Sequence, residues 1–473
     1  MQLKIGYIGV DQICFTGDKA KEYNEGRDAL QRYADEFDFV LEAYPDTIIT
    51  REEAEEAVRY FAAKGADFLL VQNSSFAAGE TILPLAKLGL PLGLWAVPEP
   101  ASSGYLPLNS FCGINMYGSI ITNYLKHHNL RYKYFFGHAT DASFAARLRV
   151  TVKALSAIKN LRHSKVALIG GIAPGFNDLY FDERVIEKLL GVNVQRNIEY
   201  ADIRQLAVSY TDDEIASYIT ECLKPYKRMT DGAQKQVHSN ARFLKAYYDF
   251  AESGGFDALA ISCWPKIQSD FGACACQSIA KLNQRGVPAA CEGDLPGAIA
   301  MLLLMYLSDG GITTLLDLVS FDESDETMQL WHCGPTAESF ADASGIALST
   351  ICEHTNREGT EERHLRYVHD MNIKAGAASL ACFCNDFTKM FISGGTFIDY
   401  EKERFHGSAG WLGNMHINRK RVGARDMINT IMSRGIQHHF PVVLGDYSKE
   451  LLEVAAWLRL PTIESVPYED YLQ

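Results

Sequence analysis

Apolar runs alternating with amphipathic stretches set the rhythm of the first third of the chain. Residues 4–10, 67–72 and 90–96 are apolar runs that read as strands, and between them Arg51–Lys64 carries apolar residues at helical spacing. Thr50 stands in front of that stretch with Glu53 just inside it, the pattern of an N-cap and its capping box. Strands alternating with helices are the sequence form of βαβ units, so a parallel sheet is expected. Residues 98–107, rich in Pro, Ser and Gly, read as a surface loop.

A second series of the same kind opens near residue 164 with the buried-strand pattern Lys165–Ile169, and strand patterns recur at 256–262 and 287–291, each followed by a turn and a helical stretch. Gly170, Gly171 and Gly175 follow the first of these, but their spacing matches neither the dinucleotide fingerprint nor the phosphate loop, so a tight turn is expected. From about residue 310 the helical alternation gives way to short strand-like runs rich in Gly, Thr, Ser and aromatic residues. The predicted class is therefore α/β: two doubly wound, Rossmann-like parallel-sheet domains at 1–160 and 161–308, then a mainly β domain at 309–473. Length agrees, since cores stop growing near ~250–300 residues and this chain has 473.

Composition narrows the partners. With 47% hydrophobic and 22% charged residues the chain can build ordinary cores, and a net charge of −14 repels polyanions, so no nucleic acid is expected. The amino terminus opens on a strand pattern instead of a signal peptide, which predicts a cytoplasmic location. The longest apolar stretch, 298–307, falls short of the ~20 residues that cross a bilayer, so no membrane anchor is expected. Eleven cysteines, an odd number, read as mainly small buried residues. The pairs Cys274/Cys276 and Cys382/Cys384 have the wrong spacing for the usual zinc modules.

Candidate chemistry begins at Cys291-Glu292-Gly293-Asp294, where two carboxylates crowd a turn between the strand run 287–290 and the apolar helix pattern 298–306. Acidic residues there also cap helices, so the turn needs support from elsewhere. The next strand pattern, 313–321, carries Asp317 where a buried strand would hold an aliphatic residue, and an unpaired buried carboxylate costs several kcal/mol. His332 sits at an apolar strand end before a Gly-Pro turn, and the pair His438-His439 leads into the strand pattern 440–444. Two carboxylates and two histidines make a mixed nitrogen and oxygen set suited to Mn²⁺, Co²⁺, Fe²⁺ or Mg²⁺. Trp264 and Trp331, near these positions, offer either a wall for a sugar ring or plain packing, and Asp294 either binds a ligand or caps the helix.

The order Cys-Glu-Gly-Asp, apolar helix, strand with Asp317, Trp-His-Cys-Gly-Pro and a late Gly-x-x-His-His resembles the L-fucose and L-arabinose isomerase superfamily, with the Trp264 and Trp331 turns departing from either archetype. The resemblance implies a divalent metal, Mn²⁺ foremost, held by Glu292, Asp317, His332 and His439, with His438 the alternative to His439. It implies that Glu292 and Asp317 also move protons in aldose–ketose isomerisation of a free pentose, 6-deoxyhexose or 6-substituted hexose. It further implies a homo-oligomer, trimer or hexamer, whose sites lie between subunits, and residues 72–76 with Phe76, and 115–117 with Asn115, are the candidates reaching a neighbour's sugar. Rival readings are a non-catalytic sugar-binding protein and a metal-dependent lyase or aldolase.

Overall fold

Five strands of the amino-terminal part pair side by side and all parallel: β1 (Leu3–Val10), β2 (Phe39–Ala43), β3 (Phe68–Asn73), β4 (Leu92–Ala96) and β5 (Tyr132–Phe136), in the order β2-β1-β3-β4-β5. Helices α1 (Lys19–Phe37), α2 (Arg51–Lys64), α3 (Gly79–Lys87), α4 (Ser110–Ser119) and α5 (Ala142–Arg162) alternate with them. β3 and β4 are buried along their whole length, which is why their sequences are continuous apolar runs without the alternation of a half-exposed strand. At the start of α2 the Glu53 N–H donates to Thr50 Oγ1 at 3.2 Å, and the Thr50 N–H donates back to Glu53 Oε2 at 2.9 Å. That is the capping box expected from the sequence, and Gly65 in the left-handed region (φ 66°) ends the helix.

The computed structural model describes residues 1–229, 233–271, 274–350, 367–384 and 386–473, and the chain divides into two compact units, Met1–Lys159 and Asn160–Gln473. The second unit holds two sheets. One is parallel, in the order β10-β9-β6-β7, from β6 (Lys165–Ile169), β7 (Asn193–Ile198), β9 (Ala258–Ile261) and β10 (Ala289–Ala290). The other contains β8 (Tyr226–Met229), β11 (Thr313–Asp322), β12 (Thr327–His332), β13 (Ile346–Thr350), β14 (Tyr367–Asn372), β15 (Gly376–Cys384), β16 (Lys389–Phe397), β17 (Ser408–Ile417), β18 (Lys420–Arg421) and β19 (His439–Leu444). Six of these, β12-β11-β19-β15-β16-β17, close on themselves through antiparallel pairing of β12 with β17, forming a barrel. Closure removes the edges that such strands would otherwise expose.

The helices of this unit are α6 (Glu183–Leu190), α7 (Tyr200–Ser209), α8 (Asp212–Leu223), α9 (Ala233–Gly254), α10 (Lys266–Phe271), α11 (Cys276–Gln284), α12 (Leu295–Leu307), α13 (Ala424–Arg434) and α14 (Ser448–Leu458). α12 is apolar all round because both of its sides meet protein: it packs on β6, β9 and β10 of the parallel sheet and on β11, β15 and β19 of the barrel. Leu302, Leu303 and Leu304 are fully buried, each contributing roughly 1.5–3 kcal/mol. One helix thus fastens the carboxyl ends of the parallel strands to one side of the barrel. Among the described residues no helix is long and apolar enough to cross a membrane.

Candidate active site

Ligands of open parallel sheets sit beyond the carboxyl ends of the strands, and here β6, β9 and β10 deliver three turns to one place. The turn after β10 is held at three backbone points: Ala173 N–H donates to Glu292 O at 2.9 Å, Gly293 N–H to Ile261 O at 3.0 Å, and Asp294 N–H to Cys291 O at 3.0 Å. Glu292 (φ 61°) and Gly293 (φ 73°) are both left-handed. A Cβ on Gly293 would lie 2.2 Å from Gly171 O, so only glycine lets the turn after β10 meet the turn after β6. Strain of this kind in a non-glycine residue, Glu292, is typical of functional sites.

Asp294 caps α12, one of its two expected readings, and also meets His439. Its Oδ1 accepts from the Gly297 N–H at 2.8 Å, capping α12, while its Oδ2 lies 3.0 Å from His439 Nδ1. The second bond places the Nδ1 proton toward Asp294 and turns Nε2 into the site. There His439 Nε2 lies 3.3 Å from Glu292 Oε2 and 3.6 Å from Asp317 Oδ1. His439 Nε2 and Asp317 Oδ1 are both buried and have no hydrogen-bond partner among the described residues.

The barrel brings Asp317 to this point by register. Asp317 on β11 pairs with His439 on β19 and with Trp331 on β12. His332 ends β12 next door, stacked on His439 with ring centroids 5.6 Å apart. The Cys333 N–H donates to His332 Nδ1 at 2.7 Å, so a neutral ring carries its proton on Nε2, which faces Cys291 Sγ at 2.9 Å and Asp317 Oδ1 at 3.9 Å. In this rotamer His332, expected as a fourth ligand, is arranged as a donor. Trp331 stacks on His332 and its Nε1 donates to His406 O.

His438, the alternative to His439, bridges two carboxylates. Its Nδ1 is 2.6 Å from Asp178 Oδ2 and its Nε2 is 3.2 Å from Glu292 Oε2. Burial would lower the His438 value, but the bonds to Glu292 and Asp178 outweigh it and hold the imidazole above its ordinary range. Burial would likewise raise Glu292, yet its bond to His438 and the His439 and His332 rings beside it bring the carboxyl down to about 2. Glu292 is ionised at neutral pH. Phe176 stacks on His438 with centroids 5.5 Å apart and meets Trp264 edge-on at 6.3 Å.

Glu292, Asp294, Asp317, His332, His438 and His439 therefore converge, with Trp264 and Trp331 beside them. Phe76, half-buried and tilted against Phe15, and Asn115, exposed on α4, belong to the first unit. Sequence reasoning missed Asp178, Phe176 and Cys291. The signal for the first two was available: they follow a parallel strand, β6, at the edge where ligands bind, behind a turn read only for its glycines. Cys382 and Cys384, by contrast, pack into the barrel's apolar core, as small buried residues.

The fold and site together define a two-unit α/β protein with a buried, mixed nitrogen and oxygen donor cluster between a parallel sheet's carboxyl edge and a β-barrel. Over most of its length the chain is similar to sulfoquinovose isomerases. That from Priestia aryabhattai is 27% identical over 424 residues, 88% of this chain and 90% of the relative. Those from Alkalicoccus urumqiensis and Clostridium sp. (strain MSTE9) are 25% and 28% identical, over 89% and 83% of this chain and 91% and 85% of theirs. No family model matches the chain. A periplasmic solute-binding protein from Actinobacillus succinogenes with bound D-allose aligns with 65% of this chain and 92% of its own at 12% identity, with a TM-score of 0.17.

Proposed function

We propose that the substrate is a hexose bearing an anionic group at C6, of the sulfoquinovose kind, and that Glu292, Asp317 and His439 hold a divalent cation, Mn²⁺ foremost, during its isomerisation. The chain is an aldose–ketose isomerase, a class carried by its four relatives at 25–28% identity. The observation supporting a cation is the donor set itself: a buried carboxylate oxygen of Asp317 and a buried imidazole nitrogen of His439 face each other without hydrogen bonds, beside Glu292 Oε2. Leaving such groups unpaired costs several kcal/mol, and an oxygen and nitrogen set suits a hard or borderline dication.

When bound, the ion supplies Lewis-acid stabilisation of negative charge developing on the two sugar oxygens. The rest is done by the chain. Glu292, ionised at neutral pH, takes the proton from C2 of the aldose on one of its carboxylate oxygens. Asp317, on the opposite side, moves the second proton from O2 to O1, and return of the first proton from Glu292 to C1 gives the ketose. Asp294 fixes the His439 tautomer, and Asp178 fixes the His438 ring that donates to Glu292. Phe176 and Trp264 form an apolar wall next to His438.

The test is ketose formation from aldoses, 6-sulfo-glucose among L-fucose and D- and L-arabinose, by EDTA-stripped protein with and without Mn²⁺. Mn²⁺-dependent turnover of the sulfo sugar, reduced about 10²–10⁴-fold in Glu292→Gln and Asp317→Asn, is expected. Turnover indifferent to EDTA overturns the metal assignment, and turnover of uncharged sugars alone overturns the substrate.

A further inference from the structure

Behind the donor cluster lies a pair of thiols that the isomerisation does not use. Cys276 opens α11 and Cys333 directly follows β12, and their sulfurs stand 3.4 Å apart. They pack with Cys274 and Val368 in a small apolar cluster; Cys276 is buried, whereas Cys333 is partly exposed. A disulfide needs ~2.05 Å between sulfurs, so the two sulfurs must close by roughly 1.4 Å. The residue that would move is coupled to the site, because the Cys333 N–H is the group bonded to His332 Nδ1.

We propose that Cys276 and Cys333 are an oxidant-responsive dithiol whose disulfide slows turnover by displacing His332. The oxidant is a hydroperoxide. The sulfur of Cys333, the more exposed residue of the two, attacks the peroxide's terminal oxygen, the O–O bond breaks, and a sulfenic acid and water (or an alcohol) result. The Cys276 sulfur then attacks that of Cys333, the S–O bond breaks, and hydroxide leaves with the Cys276 proton as water. Two thiols are oxidised and one peroxide is reduced. A thiol reductant reverses the change. The effect on turnover rests on the isomerase reading above, whereas the crosslink does not.

The full chain is titrated with hydrogen peroxide, and its unreduced peptides are mapped by mass spectrometry while ketose formation and tryptophan emission are followed. The expected result is a Cys276–Cys333 linked peptide pair. Turnover falls roughly tenfold or more, the scale of losing a contact that orients a histidine of the site, and dithiothreitol restores it. Cys276→Ser keeps its turnover under the same peroxide. If that variant does not fold, the wild-type linkage and its reversal decide the matter. Linkage of any other cysteine, or a Cys276–Cys333 bond that leaves turnover unchanged, overturns the proposal. Should wild type prove inactive, a reversible emission change absent from Trp331→Phe upholds displacement at His332, since Trp331 stacks on that ring, and its absence overturns it.

Discussion

Asp317 and His439 are register partners of the antiparallel strands β11 and β19, so their side chains leave the same face and bring Oδ1 and Nε2 to 3.6 Å. A slip of one residue in that pairing would send one of the two groups to the other face of the sheet. Barrel closure pins the register, since β11 and β19 are each paired on both sides. The donor cluster is thus as rigid as the barrel wall, and its remaining members come from turns fastened to it by α12.

Asp178 holds His438 through Nδ1, on the side of the ring away from Glu292. Asp178→Ala is expected to lower kcat about 10- to 100-fold with a smaller change in KM, because Glu292 loses an oriented donor while the metal-type donors stay in place. Asp178→Asn, which can still accept at Nδ1, is expected to recover part of that loss. Steady-state kinetics on the three proteins, with circular dichroism as a folding control, decide this; equal KM and kcat in all three would show Asp178 idle.

Asp294 divides its two oxygens between a helix cap and a histidine, and two substitutions separate the tasks. Asp294→Asn keeps a good cap but puts an amide N–H against His439 Nδ1–H or forces the other tautomer, so Mn²⁺ affinity is expected to fall about 10- to 100-fold with little change in Tm. Asp294→Ala is expected to lose the cap as well, a further ~1 kcal/mol of stability. Calorimetric Mn²⁺ titration and thermal unfolding read the two effects independently. Identical Mn²⁺ binding by wild type and both variants would detach Asp294 from His439.

Gly293→Ala is expected to disable the site from the backbone. An L-residue at φ 73° is strained by about 1–3 kcal/mol, and the new Cβ would meet Gly171 O at 2.2 Å, so the turns after β6 and β10 must part. Lowered urea midpoint and lost turnover should appear together, whereas wild-type stability in this variant would refute the close approach.

A pH dependence of stability follows from His369, buried on β14 with Nδ1 3.2 Å from Thr336 O and no hydrogen-bond partner at Nε2 among the described residues. Burial, and then the charge of Lys281, depress its value to about 3 from an ordinary 6.5. Below about 6.5 the unfolded chain takes up a proton that the folded chain refuses until about 3. Stability from this group is therefore complete above about 6.5 and is lost as pH falls toward 3, at up to ~1.4 kcal/mol per pH unit. His369→Phe, which keeps an aromatic ring against Tyr226, should flatten the urea midpoint between about pH 6 and 4 relative to wild type. Parallel curves for the two proteins would contradict it.

Much of the local structure could be read along the chain because local rules govern it. Thr50 and Glu53 mark the start of α2 through bonds between neighbours, and the apolar runs that became β1, β3 and β6 are buried strands because their residues are apolar on both faces. Glu292, Asp317 and His439 were legible as chemistry for a related reason: polar groups set in apolar strands and turns cost energy unless something binds them. What local rules do not reach was missed. Asp178 looked like an ordinary residue behind a glycine turn, since nothing near it in sequence shows that His438 lies 260 positions away and 2.6 Å distant.

The sequence by itself determined the element types, the helix caps and which polar residues stood out of place, because each depends on a residue and its near neighbours. Only the tertiary structure decided that β12 pairs with β17 to close a barrel, that Asp317 faces His439, that Asp294 both caps α12 and turns His439, and that His332 donates in this arrangement. Those are matters of register and side-chain direction between distant segments. They are settled by how whole faces of apolar surface pack, and no window of sequence contains both partners.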